Sequence, residues 1–170
     1  MDKCPICGGT NLTTEKKDYQ FVDSGLDNVI LAGIDVTECP DCGEEFVSIP
    51  NVLGLMDLIA EQIILKPGSL TGQEIRFLRK NLLMKISEFA TLLGVDRVSL
   101  SRWENEQVRP TVANDRLIRL TYATCKKINE TTRNKLIERL KDKSLEGAVA
   151  ERYFISAFSA GDKERQAVSH

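Results

Sequence analysis

The sequence predicts an α+β protein, a small β-rich module at the N-terminus followed by an all-α remainder, and three observations carry that reading. Two near-identical knuckles, Cys4-Pro5-Ile6-Cys7-Gly8 and Cys39-Pro40-Asp41-Cys42-Gly43, bracket a short head. Between them lie two strand-like runs, Leu12 to Val22 and Val29 to Thr37, joined by a turn at Asp23, Ser24 and Gly25. From Leu70 onward, apolar residues recur at helical spacing between tight corners.

A formal net charge of −2 over 170 residues conceals a strong asymmetry. Residues 1–69 carry 4 Lys+Arg against 12 Asp+Glu, a balance of −8, whereas 70–120 and 121–170 each stand at +3. An acidic head before a mildly basic body predicts different partners for each. No run approaches the roughly 20 apolar residues needed to span a bilayer, and Asp2 and Cys4 stand where a leader would be basic and then apolar. The chain therefore reads as cytoplasmic, with no membrane partner. His170 is the single histidine and is terminal, which removes Cys-His and Ser-His catalysis; neither an enzyme nor a small-molecule substrate is expected.

In a reducing compartment, paired Cys-x-x-Cys units favour metal over a disulfide. Each knuckle presents two sulfurs from one tight turn, and the glycine after it lets the backbone fold over the ion. Cys4, Cys7, Cys39 and Cys42 are accordingly predicted to hold one structural Zn2+ in a closed tetrahedron. Four thiolates leave no open position for catalytic water. A redox role is disfavoured, because neither pair sits in the βαβ setting of thioredoxin-type motifs. Cys125, alone in a predicted helix, reads as a buried core residue. The zinc-binding domain is assigned to residues 1–50, with Glu45 to Ile49 as a further strand ended by Pro50.

Asn51 is placed to cap a helix running to about Leu65, with Val52, Leu55, Met56, Ile59 and Ile63 on one face. Lys66-Pro67-Gly68 breaks it, so residues 51–69 read as a connector helix and hinge. Thr71 and Glu74 form a capping-box pair opening the next helix, which carries Ile75, Leu78 and Leu82. A short second helix holds Phe89, Ala90, Leu92 and Leu93, and Gly94-Val95 makes the turn. Asp96 then caps a third, from Arg97 to about Asn105. Stepping about 100° per residue from Arg97, Ser101, Val98 and Arg102 share an arc of roughly 140°, and Leu100 and Trp103 lie opposite. One face is core. The other presents two arginines, a hydroxyl and an apolar contact, which is what a major groove accepts.

Ile86 to Val95 followed by Ser99-Leu100-Ser101-Arg102-Trp103-Glu104-Asn105 resembles the Cro/C1 (XRE) helix-turn-helix, with Ala90, Gly94 and Trp103-Glu104 at that motif's structural positions. The resemblance covers Thr71 to Leu120 and implies a DNA-binding domain over residues 70–120, with Arg79 paired to Glu104. Many relatives place Gln at the start of the second helix, where this chain has Ile86 beside Lys85. The joined architecture, CPxCG knuckles with Ile30-Leu31-Ala32-Gly33-Ile34 ahead of the motif, resembles the MqsA (YgiT-type) antitoxins over about Met1 to Leu120. That resemblance implies a zinc domain that binds a cognate toxin protein, and a homodimer that represses its own operon at a palindromic double-stranded DNA operator. Arg102 matches a family DNA-contacting arginine; the family's contacting asparagine falls on Val98, so the operator sequence does not carry over.

Arg97 and Arg102 are the expected base readers, with Val98 and Ser101 beside them. Lys80, Lys85 and Arg109 suit phosphates, where any positive charge serves, and equally suit a solvated surface. Ser99 suits a base edge, a phosphate or a backbone cap. The acidic head would meet a basic toxin with complementary charge. The alternative function is a zinc-containing XRE-type regulator with no toxin.

Residues 121–160 read as a C-terminal extension. A helix from Thr111 to about Asn129 carries Leu117, Ile118, Leu120, Tyr122 and Cys125 over a wider arc than one buried face needs, leaving a second face for dimerisation. Thr131 is read as the cap of a further amphipathic stretch with Leu136, Ile137 and Leu140. Val149 to Phe158 fits helix or strand, and residues 161–170 read as a disordered tail.

Overall fold

A computed structural model describes residues 2–49, 51–141 and 152–156. The expectations at Pro50 and over residues 161–170 lie outside them. Strands β1 (Thr13–Gln20) and β2 (Val29–Glu38) form the predicted antiparallel pair, from Thr13 opposite Glu38 to Gln20 opposite Ile30, with a register shift between Lys17 and Tyr19. The connection is a short 3-10 turn, Val22–Ser24, closed by Gly25 at φ +77°. Strand β3 (Glu45–Val47) pairs antiparallel with the end of β2.

Among the described residues six helices follow: α1 (Val52–Leu65), α2 (Gly72–Asn81), α3 (Ile86–Leu93), α4 (Arg97–Glu104), α5 (Val112–Cys125) and α6 (Glu130–Lys141). Side-chain caps form at four starts, three of them as expected and the fourth at Thr111. Asn51 accepts from the Gly54 amide at 2.8 Å, Thr71 and Glu74 form a complete capping box, Asp96 accepts from the Ser99 amide at 2.8 Å, and Thr111 accepts from that of Asn114 at 3.3 Å. At α3 the box is half made: Glu88 accepts from the Lys85 amide at 2.7 Å, and an ammonium has no lone pair with which to reciprocate.

Three expectations in the tail are corrected. The α6 cap is Asn129, whose Oδ1 accepts from the Thr132 amide at 2.8 Å, rather than Thr131. Helix α5 stops at Cys125, and Lys127 at φ +50° turns the chain. Cys125 itself is exposed, because the buried stripe of α5 runs through Asp115, Ile118, Arg119, Tyr122 and Ala123. The extension then closes in a strand, β4 (Tyr153–Ser156), which pairs in parallel with β2.

β4 lies beside the half of β2 that β3 leaves uncovered, Val29–Ala32, completing a four-stranded sheet. The inward side chains of this sheet join the helices in one apolar cluster. Phe21, Leu26, Val29 and Leu31 belong to the same buried group as Leu55, Ile59 and Ile63 of α1 and as Ile75, Leu78 and Leu100 beyond. The Lys66-Pro67-Gly68 segment is fastened from below. Arg119, fully buried, donates to the carbonyls of Ile64, Lys66 and Gly68 at 2.9, 2.9 and 2.7 Å, and its charge is met by Asp115 at 2.7 Å.

Candidate metal centre and nucleic-acid interface

The two knuckles have the same internal bonding. The Gly8 amide donates to the Cys4 carbonyl at 2.9 Å and the Gly43 amide to that of Cys39 at 2.7 Å, with both glycines in the left-handed region at φ +77° and +74°. A second bond closes each loop, from the Cys4 amide to the Gly9 carbonyl at 2.8 Å and from the Cys39 amide to that of Glu44 at 2.9 Å. β1 and β2 bring the knuckles together, since one precedes the first strand and the other follows the second.

The four sulfurs all lie within 4.8 Å of one another, with Cys4 Sγ to Cys42 Sγ at 3.7 Å and Cys7 Sγ to Cys39 Sγ at 3.5 Å. A tetrahedron with metal–sulfur bonds of about 2.3 Å has edges of about 3.8 Å, so the set could hold a thiophilic ion. Crowding splits their ionisation. The Cys7 amide leads in lowering Cys4 to about 7. At Cys42 the Glu44 amide pulls downward but is outweighed by burial and the three neighbouring sulfurs, which push it up to about 12. A divalent cation offsets that crowding, because its charge favours ionisation of the thiols that ligate it. Cys4 and Cys39 are buried and Cys7 and Cys42 exposed, so the centre sits at the surface of the head.

In the middle of the chain, α2, α3 and α4 make the helix-turn-helix. Gly94, at φ +67°, turns the chain between α3 and α4, and the Val95 amide returns to the Ala90 carbonyl at 3.0 Å. Leu100 is fully buried and Trp103 is 7% exposed, which fixes the rotation of α4. Its end is locked by a two-pronged bond: Arg79 Nε and Nη2 donate to the two oxygens of Glu104 at 2.6 and 2.9 Å, and Nη1 donates to the Met84 carbonyl at 2.9 Å. Glu104 in turn raises the Arg79 pKa. One guanidinium thus ties α2 to both the end of α4 and the corner before α3.

The opposite face of α4 is outward. Arg97, Val98 and Arg102 are exposed, Val98 at 58%, and neither arginine side chain has an ion pair or hydrogen bond among the described residues. Ser101 is half-buried beside them, its carbonyl taken by Asn105 at 2.8 Å. Ser99 is already engaged: its hydroxyl donates to Asp96 at 2.5 Å, and with the Ser99 amide this lowers the Asp96 pKa. That bond buttresses Asp96, which is the cap of α4, rather than making Ser99 a cap itself. Lys80 lies exposed near the end of α2, Lys85 at the start of α3, and Arg109 beyond α4 in a cleft with Thr71, Gly72 and Trp103.

Sequence reasoning missed the buried polar supports. Lys66 Nζ meets Glu74 Oε2 at 2.8 Å with both side chains at most 2% exposed. The Asp115–Arg119 pair was visible only as an i,i+4 spacing of opposite charges, the same signal an exposed helix gives. No helix among the described residues is long and apolar enough to cross a membrane.

A four-sulfur centre on a small sheet, carried by a helix-turn-helix with an open arginine face, defines a class of two-module regulatory proteins. Residues 2–132 match the family described as the antitoxin component of a bacterial toxin-antitoxin system, MqsA, and the chain belongs to that family. It is also similar, at 36% identity over 63 residues, to proteins called "Uncharacterized HTH-type transcriptional regulator YiaG" from Escherichia coli strain K12 and from strain O157:H7. That likeness takes in 37% of this chain and 66% of theirs, so the chain spans just under two thirds of the length of these relatives.

Proposed function

We propose that this protein is the antitoxin of a type II toxin-antitoxin pair and a repressor of its own operon. The carrying observation is the outward face of α4, where Arg97 and Arg102 are held by core packing behind them and have no intramolecular partner among the described residues. In this reading Arg102 and Arg97 read base edges in the major groove, Val98 and Ser101 flank them, and Lys80, Lys85 and Arg109 meet phosphates. Ser99 contributes through its bonds to the Asp96 cap, which orients the first turn of α4.

The ion is a single structural Zn2+ on Cys4, Cys7, Cys39 and Cys42, supported by the all-sulfur donor set and its edge lengths. The acidic head, −8 over residues 1–69, is the surface offered to a basic toxin. A homodimer places two α4 helices on the half-sites of a palindromic operator about one helical turn apart. The side chains of Leu117 and Leu120, 39% and 43% exposed on α5, supply apolar surface for that contact. The site of action is the cytoplasm, and the protein is not an enzyme.

The test is a gel-shift titration on the DNA upstream of the protein's own gene. Arg102→Ala should weaken binding about fivefold or more, since a two-pronged arginine–guanine contact contributes about 1–3 kcal/mol, with unchanged circular dichroism. Undiminished binding would assign the reading surface elsewhere. A second reading, a regulator without a toxin, is favoured by the relatives named only as transcriptional regulators. Co-expression with the adjacent reading frame separates the two, because only the antitoxin yields a co-purifying complex.

A further inference from the structure

β4 touches both halves of the molecule. Its main chain runs parallel to Val29–Ala32 of β2, and the Tyr153 amide donates to the Asn28 carbonyl at 2.8 Å. Tyr153 and Ile155 turn inward, 3% and 5% exposed. The Tyr153 hydroxyl then leaves the sheet altogether and donates to Glu74 Oε1 in α2. The other oxygen of that carboxylate accepts from the Thr71 amide at 2.7 Å and pairs with Lys66 at 2.8 Å. Glu74 is therefore satisfied by the cap, the connector and the C-terminal strand together.

From Glu74 the contacts run on to the reading helix. Gly72, two residues earlier in α2, lies against the backbone of Trp103 and Glu104, and Arg79 later in α2 grips the Glu104 carboxylate. In the other direction β2 ends at Glu38, next to Cys39 of the second knuckle.

We propose that β4 is a clamp that couples the four-cysteine centre to the DNA-reading helix. Sulfur release would loosen β2 at its Glu38 end, and the disturbance, passed along the strand to Val29–Ala32 where β4 lies, would withdraw the Tyr153 hydroxyl from the base of α2. The element with two arrangements is β4, docked or released, and both sites bias it. The inference rests on metal binding at the four cysteines, and it makes metal occupancy a signal felt at α4 rather than a property of the head alone.

Amide hydrogen exchange of the full-length protein, read at Gly72–Arg79 before and after chelation, tests this, with metal content measured first. Chelation should speed exchange there about tenfold or more in the native chain, as local opening replaces protection. Tyr153→Phe, which keeps the ring but removes one hydrogen bond, should speed it on the order of fivefold while metal is bound and leave little further response to chelation. Emission from Trp103, the single tryptophan, should follow the same pattern. Unchanged protection of α2 on chelation would overturn the coupling. An equal chelation response in native and Tyr153→Phe proteins would assign transmission to the shared apolar core and overturn the clamp. A chain that purifies without metal would sink the zinc reading instead, and the Tyr153→Phe comparison would still decide whether β4 braces α2.

Discussion

A methyl group at Gly72 has nowhere to go. A Cβ there would stand 2.5 Å from the Trp103 carbonyl oxygen, 2.8 Å from that of Glu104 and 2.6 Å from Glu106 Cγ. Two of these neighbours are backbone, which cannot swing aside. The Gly72 amide also donates to Glu106 at 3.1 Å, so the start of α2 is fixed against the end of α4 from both sides. Gly72→Ala is expected to cost about 1–3 kcal/mol through overpacking, despite alanine's better helix propensity, and to lower the melting temperature; an unchanged or higher value would show that α2 can shift. Nothing in the sequence marks this glycine, because the constraint comes from residues some thirty positions later. Cys125 is the converse case: its apolar character pointed inward, and the rotation of α5 set by Ile118 and Tyr122 put it outside.

At the scale of elements, legibility followed local chemistry. α4 could be read because its cap, its apolar pair and its exposed arc all lie within one stretch of chain, and local and tertiary preferences agree there. The knuckles were legible for the same reason: a metal-ligand spacing with a glycine after it specifies a turn without help from elsewhere. β4 was not. Tyr153, Phe154 and Ile155 carry β propensity but no turn signal and no neighbouring strand, and the partner that makes them a strand begins at Val29. The start of α6 failed differently, because Asn129, Thr131 and Thr132 offer competing caps and the difference between them is within a turn.

For the molecule as a whole, the decisive residue is Arg119. It supplies five-donor chemistry to three carbonyls that the break at Pro67 leaves without helical partners, and Asp115 neutralises it while also accepting from the Leu70 amide at 2.6 Å. Arg119→Met should remove all three bonds and leave a buried carboxylate unpaired, at a cost of about 3–5 kcal/mol. For a chain of this size that corresponds to a fall in melting temperature on the order of 10 °C, measurable by calorimetry. A shift of only a degree or two would mean that the connector carries no structural weight. The acidic head and basic body were visible in the charge count, but the means of joining them was not, because it consists of buried groups whose sequence neighbours are ordinary.

The parallel pairing of β2 with β4 also sets an order of events. Residue 29 emerges from synthesis well before its strand partner, residue 153, so the head can begin to fold but cannot finish until that partner has been made. Contacts this far apart in sequence close late and slowly. A chain cut short during translation would present the Val29–Ala32 edge with unpaired amides and carbonyls, a template for other strands. A chain that ends before β4 therefore differs from one that contains it by an exposed strand edge in the head.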